Sequence, residues 1–156
     1  MNKDYQVIWA TGPKQYDVIK EELDNKHKNI NRIENMKIVP YIYNMEEIMN
    51  LVDLIVARSG AMTVTEISNL GKPSILVPLP NVSHDHQLYN AKALESIGAS
   101  KILLNNELTG KLLNEQIEKI VLDKKEMVHM GEKALSMATS NVEQKIYDEI
   151  KKVCKK

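Results

Sequence analysis

Residues 57–91 read ARSGAMTVTEISNLGKPSILVPLPNVSHDHQLYNA, and this stretch decides the fold. It holds a strand end, a loop of small residues, a helix start carrying Glu66, a second strand and a polar His/Asp/Gln cluster. The pattern predicts a helix over residues 61–70, closed by Gly71 with Pro73 just beyond, because glycine accepts the left-handed turn that ends a helix. Ser74 to Pro78 reads as a strand, and His86 to Ile97 as a helix closed by Gly98. Lys101 to Leu104 reads as a last short strand.

Outward from this stretch the same alternation continues. Asp53 to Ala57 is apolar enough to predict a strand buried on both faces. Asn44, with Glu47 three positions on, predicts a helix start, and Met45, Ile48, Met49 and Val52 its buried stripe. Met36 to Val39 is a strand stopped by Pro40. Tyr5 to Ala10 is another, turning at Thr11-Gly12. A helix then starts at Pro13 and runs to about Asn25, with Tyr16, Ile19 and Leu23 on one face. Three helices are expected near 111–122, 124–138 and 142–153. Strands and helices alternating through short loops imply α/β architecture: a Rossmann-like, doubly wound parallel sheet with extra C-terminal helices.

Composition sets the outer limits. A chain of 156 residues is one domain's worth, with 43% apolar and 27% charged residues, as in globular proteins. Lys+Arg and Asp+Glu balance at 21 each, so no global field recruits nucleic acid. No apolar run approaches the roughly 18 residues of a membrane span. MNKDYQVIWATG lacks the basic and apolar regions of a signal peptide. The single cysteine, Cys154, has no partner for an internal disulfide, and a cytoplasmic setting is the simplest expectation. Phe is absent, so the core is expected to be aliphatic with eight Met as gap fillers.

In such a sheet ligands bind beyond the carboxyl ends of the strands. Three loops there carry suggestive chemistry: Pro40 to Asn44, Arg58 to Ala61, and Leu79 to Gln87. Ser59-Gly60-Ala61 is either a close-approach loop for an anion at a helix N-terminus or an ordinary turn capped by Ser59. Glu66 is either a carboxylate that accepts from two vicinal hydroxyls or a residue favoured by the helix dipole. His84, Asp85, His86, Gln87 and Asn90 read as a sugar-binding cluster or as a solvated loop with Asp85 capping the next helix. A metal pair of His84 and His86 is disfavoured, because alternate residues of an extended loop point apart and no further His or Cys lies nearby. Arg58 has two readings, a phosphate partner or a brace for a loop carboxylate. Tyr41-Ile42-Tyr43 either edges a base or covers the sheet's end. The lysines at 151, 152, 155 and 156 read as a solvated helix end or as a weak approach to an anionic membrane.

Taken together, several of these segments resemble a known family. They are Arg58-Ser59-Gly60-Ala61, Thr63-Val64-Thr65-Glu66-Ile67, Gly71-Lys72-Pro73, Pro78, and His86-Gln87 with Asn90-Ala91. They are similar to the C-terminal, donor-binding half of the MurG family of glycosyltransferases. That family moves N-acetylglucosamine from UDP-N-acetylglucosamine (UDP-GlcNAc) to lipid-linked muramyl-pentapeptide in peptidoglycan synthesis. The resemblance runs from about Val7 to Leu104 and is densest between residues 40 and 100. It implies half of a GT-B fold, a UDP-sugar donor, no required cofactor or metal, and a lipid-linked acceptor at the cytoplasmic membrane face. It implies that Ile42 offers backbone groups to uracil with Tyr41 beside the base, and that Glu66 binds both ribose hydroxyls. Ser59, Gly60 and Ala61 would give donor contacts, His86 and Gln87 would contact the sugar hydroxyls, and Arg58 would support the loop.

Two departures stand out. Relatives carry two successive glutamines where this chain has His86-Gln87, and an imidazole cannot reproduce an amide's paired donor and acceptor. Ahead of Tyr5 there is no glycine-rich loop of the kind that grips the diphosphate, and no acceptor domain with a general base. The expectation is therefore a donor-binding half, inactive by itself, that works with an acceptor domain or a partner chain. A soluble subunit of a split glycosyltransferase and a UDP-GlcNAc epimerase-like domain are the alternatives.

Overall fold

The computed structural model describes residues 5–27, 35–80, 85–139 and 142–154. Contacts group these residues into two compact units, one within 1–51 and one within 52–156.

The first unit runs β1 (Val7–Ala10), α1 (Pro13–His27), β2 (Met36–Val39) and α2 (Met45–Leu51). β1 and β2 pair in parallel, with Val7 opposite Met36 and Ala10 opposite Val39. The ladder extends past both ends, through Val7 N–H to the Asn35 oxygen at 2.8 Å and Thr11 N–H to the Val39 oxygen at 3.1 Å. Gly12, at φ +82°, supplies the turn into α1. Tyr16, Ile19 and Leu23 share the half-buried face of α1, as their spacing requires. At α2 the Asn44 amide donates to Glu47 Oε2 at 2.7 Å, and the Asn44 carbonyl accepts from Ile48 N–H at 3.1 Å. The buried stripe is narrower than its spacing suggested. Met49 is buried but Met45 is exposed, and Val52 falls beyond a helix that ends at Leu51.

In the second unit three parallel strands lie in the order β3 (Ile55–Ala57), β4 (Ser74–Leu76), β5 (Ser100–Ile102). Central β4 is wholly buried. β3 is an edge strand of this sheet with Val56 43% exposed, which corrects the expectation of burial on both faces. Around the sheet run α3 (Ala61–Leu70), α4 (His86–Ser96), α5 (Gly110–Val121), α6 (Lys124–Ser136) and α7 (Val142–Cys154). Ile75 and Val77 form the core with Leu103, Ile120 and Met130, so α5 and α6 cover the face on which Ile75 lies. Leu76 points the other way and is equally buried.

Helix ends follow local chemistry. Gly71 (φ +60°) and Gly98 (φ +81°) take the left-handed turns that close α3 and α4. Lys72 N–H then reaches the Ile67 oxygen at 3.1 Å, and Ala99 N–H the Leu94 oxygen at 2.9 Å. The Thr109 hydroxyl caps α5, and the Asp123 carboxylate caps α6 through two backbone N–H groups. Asp85 precedes α4 but does not cap it. Its backbone is left-handed (φ +52°), which aims the side chain away from the first-turn N–H groups.

Glycine also sets the approach of α6 to the end of α3. A Cβ on Gly131 would lie 2.7 Å from the Gly71 carbonyl oxygen, a backbone atom that cannot swing aside. Gly131→Ala should therefore cost about 1–3 kcal/mol in urea unfolding. Gly110, at the first position of α5, has open space around its missing Cβ. Gly110→Ala should stabilise by about 0.4–1 kcal/mol in the same assay, because it restricts the unfolded chain.

Candidate functional site

In a parallel sheet all strands end at the same edge, so three segments of the second unit meet there: 58–60 after β3, 77–80 after β4 and 103–109 after β5. Arg58 joins all three. Its Nη1 donates to the Val77 carbonyl at 3.1 Å, the Pro78 carbonyl at 3.4 Å and Asn105 Oδ1 at 2.8 Å. The bracing reading of Arg58 takes this form: Nη1 holds loops through carbonyls and an amide rather than a carboxylate. Asn105, unmarked in a plain LLNNELTG run, belongs to this brace and was not anticipated.

Ser59 is fully buried. Its hydroxyl donates to the Gln87 carbonyl oxygen at 2.7 Å, and its own carbonyl accepts from Asn90 Nδ2 at 3.0 Å. Gly60, not Ser59, is the N-cap of α3, so the turn is not the serine-capped one. Gly60 brings no side chain to the helix start. The first intrahelical bond is Val64 N–H to the Gly60 oxygen at 3.0 Å, and the N–H groups of Ala61, Met62 and Thr63 lie ahead of it. Gln87, in the first turn of α4, turns its Oε1 to Leu79 N–H at 2.9 Å. Arg58 with Asn105, and Ser59 with Leu79, Gln87 and Asn90, thus form two hydrogen-bonded sets that adjoin at the Arg58–Ser59 peptide bond.

Glu66 sits on α3, five residues past Ala61 and hence about 7.5 Å along the axis. Its carboxylate is exposed and has no partner among the described residues. His86 opens α4 and is exposed. His84 lies outside the described residues. Among those residues no cluster of three or more His, Cys, Asp or Glu is placed to hold a metal ion.

In the first unit, Tyr41 and Tyr43 flank half-buried Ile42 and meet edge to face, with ring centroids 5.1 Å apart. Tyr43 is 90% exposed, so this segment offers aromatic surface to solvent rather than covering a core.

The model of the glycosyltransferase family 28 C-terminal domain matches residues 1–150. The chain belongs to that family. Two curated relatives are each named as a UDP-N-acetylglucosamine--N-acetylmuramyl-(pentapeptide) pyrophosphoryl-undecaprenol N-acetylglucosamine transferase. One, from Acetivibrio thermocellus, is 40% identical over 97% of this chain and 40% of its own length. Another, transferase 1 of Bacillus cereus, is 37% identical over 99% of this chain and 42% of its own length. This family 28 chain therefore spans about two fifths of the relatives it matches. Among solved structures, MurG of Acinetobacter baumannii superposes with a TM-score of 0.79 at 29% identity, over 96% of this chain and 42% of that one. The glycosyltransferase VinC shares the fold, with a TM-score of 0.63 at 15% identity, over 86% of this chain and 37% of that one. The family 28 chain has the Rossmann-like α/β fold of a GT-B C-terminal half.

The brace has a measurable worth. Arg58→Ala should lower unfolding stability by about 1–2 kcal/mol, a charged donor's hydrogen bonds discounted for solvent exposure. Arg58→Lys should recover less than half, since an ammonium cannot reproduce the guanidinium's planar geometry. Equal stabilities for the three proteins would remove Arg58 from its bracing role.

Proposed function

We propose that this domain binds the UDP-GlcNAc donor of an inverting glycosyltransferase that acts on lipid-linked muramyl-pentapeptide in peptidoglycan synthesis. The observation that carries the proposal is Glu66: an unpartnered carboxylate one and a half turns into a helix whose start lies at the ligand edge of the sheet. Two vicinal ribose hydroxyls each need an acceptor, and a carboxylate supplies two oxygens at matching separation. The names of the curated relatives support the same donor.

Residue roles follow the chemistry on each element. Glu66 accepts from the ribose hydroxyls. Gly60 and Ala61 bring backbone N–H groups at the positive end of α3 towards the donor. His86 and Gln87, at the start of α4, address the sugar. Arg58 and Ser59 act from behind, by holding the loops.

In the complete reaction an acceptor hydroxyl attacks the anomeric carbon, inverting it, and UDP leaves. The donor domain contributes positioning and stabilisation of charge growing on the leaving diphosphate, with no metal or cofactor required. The general base belongs to an acceptor domain or partner chain, and this chain alone does not turn over. The lipid-linked acceptor places the working enzyme at the cytoplasmic face of the membrane, docked peripherally. No helix among the described residues is long and apolar enough to cross one.

Calorimetric titration with UDP-GlcNAc and with UMP tests the assignment. Glu66→Ala should weaken both ligands alike, by about 1.5–3 kcal/mol or roughly 10–100-fold, because the lost bonds are to the shared ribose. Unchanged affinity would remove Glu66 from the ribose site.

A further inference from the structure

Ser59 cannot touch a ligand, since it has no exposed surface, yet it bonds to α4 through both its hydroxyl and its carbonyl. Its hydroxyl holds the Gln87 carbonyl and its carbonyl is held by Asn90, three residues on along the same face of α4. One buried residue after β3 therefore pins the N-terminal part of α4 at two points, Gln87 and Asn90.

Pinning α4 fixes more than a backbone. The Gln87 side chain reaches back to Leu79 N–H, at 2.9 Å. An N–H can be satisfied only by an acceptor, so the amide must turn its Oε1 inwards and its Nε2 outwards. Nε2 has no partner among the described residues. With its oxygen engaged, Gln87 meets a ligand chiefly as a donor.

We propose that Ser59 is a positioning residue for sugar recognition, holding α4 so that Gln87 is locked donor-outward by Leu79. The site then selects an acceptor oxygen on the sugar, a hydroxyl or an amide carbonyl, at the position Gln87 faces. This inference rests on the donor-binding reading above.

The test titrates the full chain with UDP and with UDP-GlcNAc, and follows the ratio of the two affinities. Gln87→Glu keeps an acceptor for Leu79 but has no donor. Its ratio should fall roughly tenfold, the worth of one ligand hydrogen bond. Ser59→Ala should lower the ratio in the same direction. The double variant should be no worse than Gln87→Glu, because both changes remove one contact. An unchanged ratio in Gln87→Glu, an equal loss of both ligands in Ser59→Ala, or additive losses in the double variant would each overturn the proposal.

Amide hydrogen exchange at Leu79 supplies a readout that needs no ligand and no Ser59 variant. Protection should persist in Gln87→Glu and vanish in Gln87→Ala; equal exchange in both would overturn the lock. A wild-type chain that binds neither nucleotide would overturn the donor-binding reading instead, a result distinct from a binding chain that is indifferent to Gln87→Glu.

Discussion

The Arg58 guanidinium is the interaction on which the edge of the second unit depends. It sits at the end of β3, the edge strand, and donates to two carbonyls after central β4 and to Asn105 after β5. Parallel strands deliver their loops to one side but leave those loops with unpaired carbonyls and no common anchor. A planar cation with several donors answers both needs, because it satisfies carbonyls and spans loops at once. Ser59, the next residue, extends the tie to α4. Two adjacent residues therefore reach the segments that follow all three strands.

This division of labour explains which side chains remain open. Arg58, Ser59 and Asn90 spend bonding groups inwards. The Glu66 carboxylate and the Gln87 Nε2 have no partner among the described residues. The first three N–H groups of α3 precede its first intrahelical bond. Acceptors, donors and a positive helix end thus face outwards from a braced frame, and a site held by its supporting groups loses less freedom on binding.

Much of this was legible in the sequence, for reasons that differ by residue. Gly71 and Gly98 announced the ends of α3 and α4, because the left-handed turn that each supplies is costly for other residues. Apolar spacing placed α5, α6 and α7 within about two residues of their ends, the usual uncertainty of helix termini. The strands were read too long at Asp53 and at Pro78, since apolar runs continue past the last ladder bond. Burial of β3 was overestimated because composition does not tell an edge strand from a central one. Asp85 looked like a cap by residue type, and only its backbone angle removes it.

The cluster at the strand ends was legible as a set of residues, not as a set of bonds. Glu66, Gln87 and the Arg58–Ala61 loop stood out by pattern and resemblance. Two facts stayed hidden: that Ser59 faces inwards, and that Leu79 contributes only its N–H. A backbone group carries no mark in the residue type, and Asn105 is one asparagine among several. The central claim is that one nucleotide sugar lies on the carboxyl edge of the second unit. Backbone amide chemical-shift mapping with UDP-GlcNAc tests it most directly. The account predicts perturbations at residues 59–66, at Leu79 and through the first turn of α4. Perturbations centred instead on the opposite edge, at residues 71–74 and 98–100, would contradict it.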